Sequence, residues 1–330
     1  MIPKLPAAEI VFSPKTEQQF ASLALDIFAY QYHNNPVYQF FSKSLGRTPD
    51  TVQLLTQIPF LPVELFKTHR IVSGDLPSMT IFESSGTTGQ LNGKHHVCSP
   101  AWYEQSFTQV FHHFYGDPQD YSILALLPSY QEKGNSSLIY MVSKLIQDSQ
   151  NPLSGFYLRQ DDMLLDHLKQ SQVSGRKTLL LGVSFALLDL AEQQSGPLGD
   201  VILMETGGMK GRREEMTRED LHQRLCHAFQ LEKIHSEYGM TELFSQAYSS
   251  GNGMFYTPSW MKVLVRDPND PLTYLPEERS GGLNIIDLAN VFSCSFISTQ
   301  DLGKRHADGG FEVNGRFDNS DVRGCNLLVL

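Results

Sequence analysis

The spacing of apolar residues along this chain changes twice, and each change marks a change of architecture. Residues 16–34 carry Phe20, Leu23, Leu25, Ile27 and Phe28, placed so that most fall on the inner face of a helix. Pro59 and Pro62 break the segment that follows. Residues 1–79 therefore read as a helical N-terminal segment packed on the rest. From residue 80 short apolar runs alternate with amphipathic stretches. Strands are expected at 122–127, 153–158, 178–181, 201–204 and 232–235, with helices at 102–115, 136–148, 162–172, 185–194 and 218–229. Strand, helix, strand at this rhythm requires crossovers, hence a largely parallel sheet. After Gly239 the helical pattern stops. Residues 260–266, 282–288, 294–297 and 310–313 read as strands between Gly, Pro and Asp turns. The expected fold is α/β: a body of largely parallel sheets flanked by helices over 80–242, then a β-rich lobe over 243–330. In such sheets ligands bind at the carboxyl ends of the strands. No internal repeat or low-complexity tract interrupts this order.

Composition narrows the function classes. With 330 residues, 41% hydrophobic and 19% charged, the chain can bury a large core. A net charge of −10 disfavours general binding to nucleic acid or to an anionic membrane surface. The most apolar run, 178–191, is short and contains Ser184 and Asp189, so no membrane span is expected. Residues 1–15 hold Pro3, Pro6 and Pro14 and no continuous apolar stretch, unlike a secretory signal. Cys98, Cys226, Cys294 and Cys325 form no C-x-x-C pair, which disfavours a zinc site and a disulfide framework. A cytoplasmic protein with reduced thiols is the expectation.

Four segments carry candidate chemistry. Ser84-Ser85-Gly86-Thr87-Thr88-Gly89, followed by Lys94, offers hydroxyls, flexible backbone and a cation around a phosphate. It is not a Walker A loop, because the spacing to Gly93-Lys94 is one residue short and His95 follows the lysine. A Ser/Thr/Gly surface loop has the same composition. Tyr238-Gly239-Met240-Thr241-Glu242 follows a strand and combines a base-stacking ring, a phosphate donor and a Mg²⁺ ligand. Glu205-Thr206-Gly207-Gly208 also follows a strand, at a turn where a planar ring can approach backbone. The last is Asp301 together with Gly315-Arg316-Phe317-Asp318.

In this order the four segments resemble the adenylate-forming superfamily of acyl-CoA synthetases and phenylacetate–CoA ligases, from about residue 80 to the C-terminus. The resemblance implies ATP and Mg²⁺ as cofactors. It implies that Ser84 to Gly89 form the phosphate loop, Tyr238 to Glu242 the adenine and Mg²⁺ motif, and Asp301 and Arg316 the ribose contacts, with Glu242 on the metal. Thr241 and Lys94 would contact phosphate, and Gly182, Val183 and Ser184 would line the acyl pocket. Leu127-Pro128-Ser129-Tyr130 with Ser136-Ser137-Leu138, Glu205 to Gly211, and Arg323-Gly324-Cys325 further resemble the acyl-protein synthetase (long-chain-fatty-acid–luciferin-component ligase) of bacterial luminescence operons. That implies a fatty-acid substrate, transfer of the acyl group to Cys325, and delivery to an acyl-reductase or acceptor protein. Two departures stand out. Lys94 lies two residues further from the glycine loop than the family's lysine, and the sequence stops just past the hinge, without the lid and its catalytic lysine.

Other readings remain open at this stage. CoA or a carrier could be the acceptor. Gly182-Val183-Ser184-Phe185-Ala186 has the setting of a hydrolase nucleophile elbow, with Ser184 as nucleophile and alanine for the final glycine. A non-catalytic nucleotide-binding subunit is a third class. His95-His96 and His112-His113 lack the i, i+4 spacing of a helical metal pair, and Cys98, Cys226 and Cys294 read as packing residues.

Overall fold

The computed structural model describes residues 4–84, 91–127, 135–157, 162–207 and 216–317. The N-terminal segment forms α1 (Ala8–Phe12), α2 (Glu17–Asn34), α3 (Pro36–Ser44), β1 (Leu61–Pro62) and α4 (Leu65–Thr68). Thr16 starts α2 through a reciprocal cap with Gln19. Asn35 ends α2 and caps α3, whose first residue is Pro36. A hairpin follows, β2 (Thr80–Glu83) with β3 (Lys94–Val97).

The central body alternates α5 (Pro100–Tyr115), β4 (Tyr121–Leu126), α6 (Ser137–Ser149), β5 (Gly155–Tyr157), α7 (Asp162–Val173), β6 (Lys177–Val183), α8 (Ser184–Gln193), β7 (Val201–Thr206), α9 (Arg218–Phe229), β8 (His235–Tyr238) and β9 (Ala247–Ser249). The sheet order is β5-β4-β6-β7-β8-β9, parallel except for the final antiparallel pair. Strands β4 and β6 are buried almost end to end, as expected for strands covered by helices on both faces. The chain steps outward from β4 to β5 and then returns past β4 to β6. In open α/β sheets a reversal of this kind marks the ligand end, here the carboxyl ends of β4 and β6. The lobe contains β10 (Met261–Arg266), β11 (Ser280–Asp287), β12 (Phe296–Arg305) and β13 (Phe311–Arg316).

Most elements fall where the pattern places them, and the exceptions are instructive. The strand expected at 232–235 is β8, at His235–Tyr238, because Glu232 and Lys233 are exposed and pairing with β7 begins at His235. Strand β12 has ten residues and passes through Thr299, Gln300 and Asp301. Polar residues break its apolar run, but each has a partner. Arg266 donates to the Thr299 carbonyl at 2.7 Å, and Phe317 N donates to the Gln300 carbonyl at 2.8 Å. The N-terminal segment is not helical throughout. Leu61 and Pro62 form β1, which lies parallel to β12 at the sheet edge, where a residue without N–H is tolerated. Hairpin β2–β3 was not expected from the pattern either. Cys98 and Cys294 are buried and Cys226 is half-buried, and burial pushes all three thiols up, Cys294 to about 12. Among the described residues no helix is long and apolar enough to cross a membrane.

One side chain ties the N-terminal segment to the lobe. Gln31 Nε2 donates to the carbonyls of Asn290 and Val291 at 3.0 and 3.1 Å, and its Oε1 accepts from Ser295 N at 2.9 Å. Gln31→Leu leaves those buried groups unpaired and is expected to lower stability by about 2 kcal/mol. Chemical denaturation of the two proteins reads this directly, and an unchanged midpoint counts against it.

Candidate functional site

The site is assembled at the carboxyl edge of the central sheet. Tyr238 is the last residue of β8, and the chain turns through Gly239 and Met240 to Thr241 and Glu242. The lobe holds this turn in place. Asp287 accepts hydrogen bonds from the backbone N–H of Phe244 and Ser245 at 2.8 and 2.9 Å and from Ser245 Oγ at 2.7 Å. Asn290 Nδ2 donates to the Glu242 carbonyl at 2.7 Å. From the other side, His95 Nδ1 lies 2.8 Å from the Thr241 carbonyl. Burial drives the His95 pKa down to about 4, so the ring is neutral. A carbonyl only accepts, so the proton must sit on Nδ1.

Glu242 is the electrostatic oddity. It is buried, and among the described residues no cation forms an ion pair with it. Burial pushes its carboxyl up to about 7, with Arg316 and Lys67 near enough to oppose the shift. A Cβ placed on Gly93 would fall 2.5 Å from Glu242 Oε1 and 3.1 Å from Ser84 Oγ, so a side chain there would displace the Glu242 carboxylate. Ser84 and Gly93 close the base of the β2–β3 loop through paired bonds, Ser84 N to the Gly93 carbonyl at 2.9 Å and Gly93 N to Ser84 Oγ at 2.8 Å. Ser84 and Gly93, which flank the glycine-rich segment in sequence, thus lie beside Glu242. Residues Ser85, Gly86, Thr87, Thr88 and Gly89 lie outside the described residues, as do Gly208 and Cys325.

Asp301 on β12 joins the sheet to the lobe. Tyr238 Oη donates to its Oδ2 at 2.7 Å and Arg316 Nε donates to its Oδ1 at 2.9 Å. Asp301 and Arg316 are also backbone partners across β12 and β13. The Tyr238 ring packs edge-on against Phe255 and Phe311, and the Arg316 side chain is exposed.

At the ends of β6 and β7, Gly182 pairs with Glu205 and Val183 with Thr206. Gly182, Val183 and Ser184 are buried, whereas Gly207 and Gly239 are exposed at the sheet edge. Ser184 Oγ donates to the Gly207 carbonyl at 3.1 Å and faces Glu205 Oε2 at 3.4 Å. Among the described residues no imidazole meets that hydroxyl, so the elbow-like sequence lacks the base a nucleophilic serine needs. Thr206 Oγ1 donates to Glu237, whose carboxyl burial pushes up to about 7.

Lys94 is not brought to this site. His95 points at Thr241, and on a strand its neighbour faces the other way. The Lys94 side chain is exposed and lies 3.9 Å from Glu83. Besides Arg316, the cation that acts on Glu242 among the described residues is Lys67 of α4. That turn is docked by Phe66, whose ring packs edge-on against His95 at 5.7 Å. No sequence motif marks Lys67, because its relation to Glu242 is set by packing across the chain.

The described residues contain no cluster of three His, Cys, Asp or Glu side chains able to hold a metal ion. Glu242 still fits Mg²⁺ held mainly by phosphate oxygens. Such an ion needs only one or two carboxylates from the protein, and a buried carboxylate without a cation supplies one.

The raised carboxyl pKa makes a stability prediction. Glu242 titrates near 7 in the folded chain against an ordinary 4.5, so the folded state retains a proton that the unfolded state releases. Its contribution to stability therefore falls as pH rises from about 4.5 to 7. Glu242→Gln cannot ionise and is expected to match wild type near pH 5. It should exceed wild type near pH 8 by on the order of 3 kcal/mol, scaling the shift at 1.36 kcal/mol per unit. Melting curves at the two pH values test this, and a gain that does not grow with pH contradicts it.

Comparison with known proteins bears on the fold. No family model and no curated protein matches the chain. Solved structures do. ATP-bound MatB from Rhodopseudomonas palustris aligns with a TM-score of 0.54 and 18% identity, over 86% of this chain and 58% of that one. The chain thus spans little more than half of MatB. 2-Hydroxyisobutyryl-CoA ligase in the postadenylation state, in complex with 2-HIB-AMP, aligns with a TM-score of 0.66 and 14% identity over 97% of this chain and 73% of that one. An open conformation of that ligase, with 2-HIB-AMP and CoA, aligns with a TM-score of 0.62 and 13% identity, covering 92% and 70%. At such identities the likeness establishes architecture alone: the chain has the fold of the N-terminal body of adenylate-forming ligases.

Proposed function

We propose that this protein uses ATP to convert a carboxylic acid to an acyl-adenylate and then transfers the acyl group to a thiol. The observation that carries this reading is the meeting of three motifs distant in sequence. The base of the Ser84–Gly93 loop, Thr241–Glu242 and the Asp301–Arg316 pair converge at one edge of the sheet. The fold is shared with MatB, solved with ATP, and with a CoA ligase solved with an acyl-AMP.

In the reaction a carboxylate oxygen attacks the α-phosphorus and pyrophosphate leaves. Catalysis then rests on alignment and charge neutralisation rather than on acid–base chemistry. Asp301 accepts from ribose hydroxyls while Arg316 and Tyr238 orient it. The Thr241 hydroxyl, whose backbone His95 holds, donates to the α-phosphate. Glu242 holds Mg²⁺, and Lys67 offers a positive charge on the same side. A bound Mg²⁺ supplies charge neutralisation at the phosphate oxygens. The buried turn Gly182–Ser184 borders the acid.

The finer reading is a fatty acid, passed to Cys325 and from there to an acyl-reductase or acceptor protein in the cytoplasm. Its support is the Arg316-to-Cys325 sequence and the luminescence-type motifs. Arg323 stands two residues before Cys325 in the sequence, and a neighbouring cation is the kind of group that favours a thiolate, the nucleophilic form. CoA as acceptor is the second reading, favoured by the fold shared with a ligase solved with CoA.

The primary test is acid-dependent exchange of pyrophosphate into ATP across fatty and aryl acids. Exchange should require Mg²⁺, and Glu242→Gln should reduce its kcat by about 100-fold, or ~3 kcal/mol of transition-state stabilisation. Lys67→Ala should lose more exchange than Lys94→Ala. Wild-type exchange in Glu242→Gln would rule out the metal assignment, and the reverse order of the lysines would restore Lys94.

A second test concerns the acceptor. Cys325→Ser should retain exchange and lose a hydroxylamine-sensitive acyl label on the protein. Labelling at the wild-type level would discard the acyl-cysteine step and favour CoA or a carrier.

A further inference from the structure

We propose that Arg218 is a positioning residue for the nucleotide: it registers β13, and with it the Arg316–Asp301 pair, against the carboxyl end of β7. The proposal rests on the reading of that pair as the ribose site.

Arg218 opens α9, directly after the cap residue Thr217. A cation in the first turn opposes the helix dipole, so its own helix gains nothing from the charge. The guanidinium reaches away from the helix to three partners on separate elements. Its Nε donates to Glu205 Oε1 on β7 at 3.0 Å, and a terminal nitrogen donates to the Val313 carbonyl on β13 at 2.7 Å. Its central carbon lies 4.9 Å from the centre of the Phe255 ring. One planar group thus spans the body sheet and the lobe. A planar fork can hold two acceptors in fixed directions, which an ammonium on a flexible stem cannot.

The geometry makes β13 sensitive to this contact. Among the described residues β13 is an edge strand whose strand partner is β12, and their register shifts between Leu302 and Gly303. Its first residue, Phe311, exchanges backbone hydrogen bonds with Phe255 at 2.8 and 2.9 Å. Arg218 holds the strand further along, at Val313, three residues before Arg316. Without Arg218 the Phe311 end stays attached, while the end carrying Arg316 keeps Asp301 and through it Tyr238 but loses its direct tie to β7. Tyr238 lies between the two attachments, with its ring on Phe255 and Phe311 and its hydroxyl on Asp301. Glu205 keeps Arg218 in place. It is buried, and against the upward push of burial His222 and Arg218 hold its carboxyl below the ordinary range. The same carboxylate faces Ser184 on the acid side, so one buried charge borders both proposed subsites.

Two variants test this. Arg218→Lys keeps a charge for Glu205 but cannot serve Glu205 and Val313 in the same geometry. Arg218→Met with Glu205→Gln removes both charges together and avoids an unpaired buried carboxylate. In pyrophosphate exchange, Arg218→Lys is expected to raise the KM for ATP by at least fivefold, with kcat and the KM for the acid within twofold of wild type, and the double variant, which also alters the carboxylate beside Ser184, is expected to raise the KM for ATP at least as much. Calorimetric ATP binding should weaken in parallel. A purely structural role would instead lower the melting temperature and scale down active protein while leaving KM for ATP unchanged, and that outcome overturns the proposal. So does, in Arg218→Lys, a rise in the KM for the acid equal to that for ATP. If wild-type protein shows no exchange with any acid, the adenylation reading itself fails, a result distinct from an unmoved KM in an active enzyme.

Discussion

The Asp301 carboxylate is the point on which the two halves of the molecule meet. One oxygen accepts from Tyr238 at the end of the parallel sheet, and the other accepts from Arg316 at the end of β13. A charge buried this deeply persists only when its partners are in place. The requirement therefore sets the approach of the lobe to the sheet. It also explains why β12 runs on through a polar stretch: the strand continues because Asp301, Thr299 and Gln300 each find a partner beyond it.

Around that point the described residues bury carboxylates with unequal compensation. Glu205 has Arg218 and His222, whereas Glu237 has the Thr206 hydroxyl, and Glu242 has cations only at a distance. Both less supported carboxyls are pushed up to about 7 by burial. Such groups cost stability at neutral pH, and the cost concentrates at the edge where the proposed chemistry lies. Glu242 gains from a divalent cation there, which links the unfavourable electrostatics of the chain alone to the proposed use of nucleotide and metal.

Much of this was legible in the chain. The rhythm of strands and helices between residues 121 and 229 follows from apolar periodicity, and α9 begins and ends where the pattern puts it. The segment at Tyr238–Glu242 was also visible, as a turn with ligand-binding side chains just past a strand, whereas Asp301 and Arg316 stood out through the family resemblance and lie within strands. Lys94 is different. Its closeness to a glycine loop suggested a phosphate contact, but strand alternation turns its side chain away once His95 is committed to Thr241. Lys67 had no local signature, and neither did β1, because Pro62 reads as a break until a neighbouring strand is there to pair with it.

The sequence by itself determined the elements whose cause is local: helices with caps and apolar faces, buried parallel strands, and turns rich in glycine that end in reactive side chains. Tertiary structure decided which of those side chains share a site. It brought Gly93 against Glu242, joined Tyr238 and Arg316 through Asp301, and placed Arg218 between β7 and β13. These contacts link residues far apart in the chain, and their strength comes from burial, which no local pattern encodes. The charge on a carboxyl at neutral pH depends on how completely the fold excludes water from it.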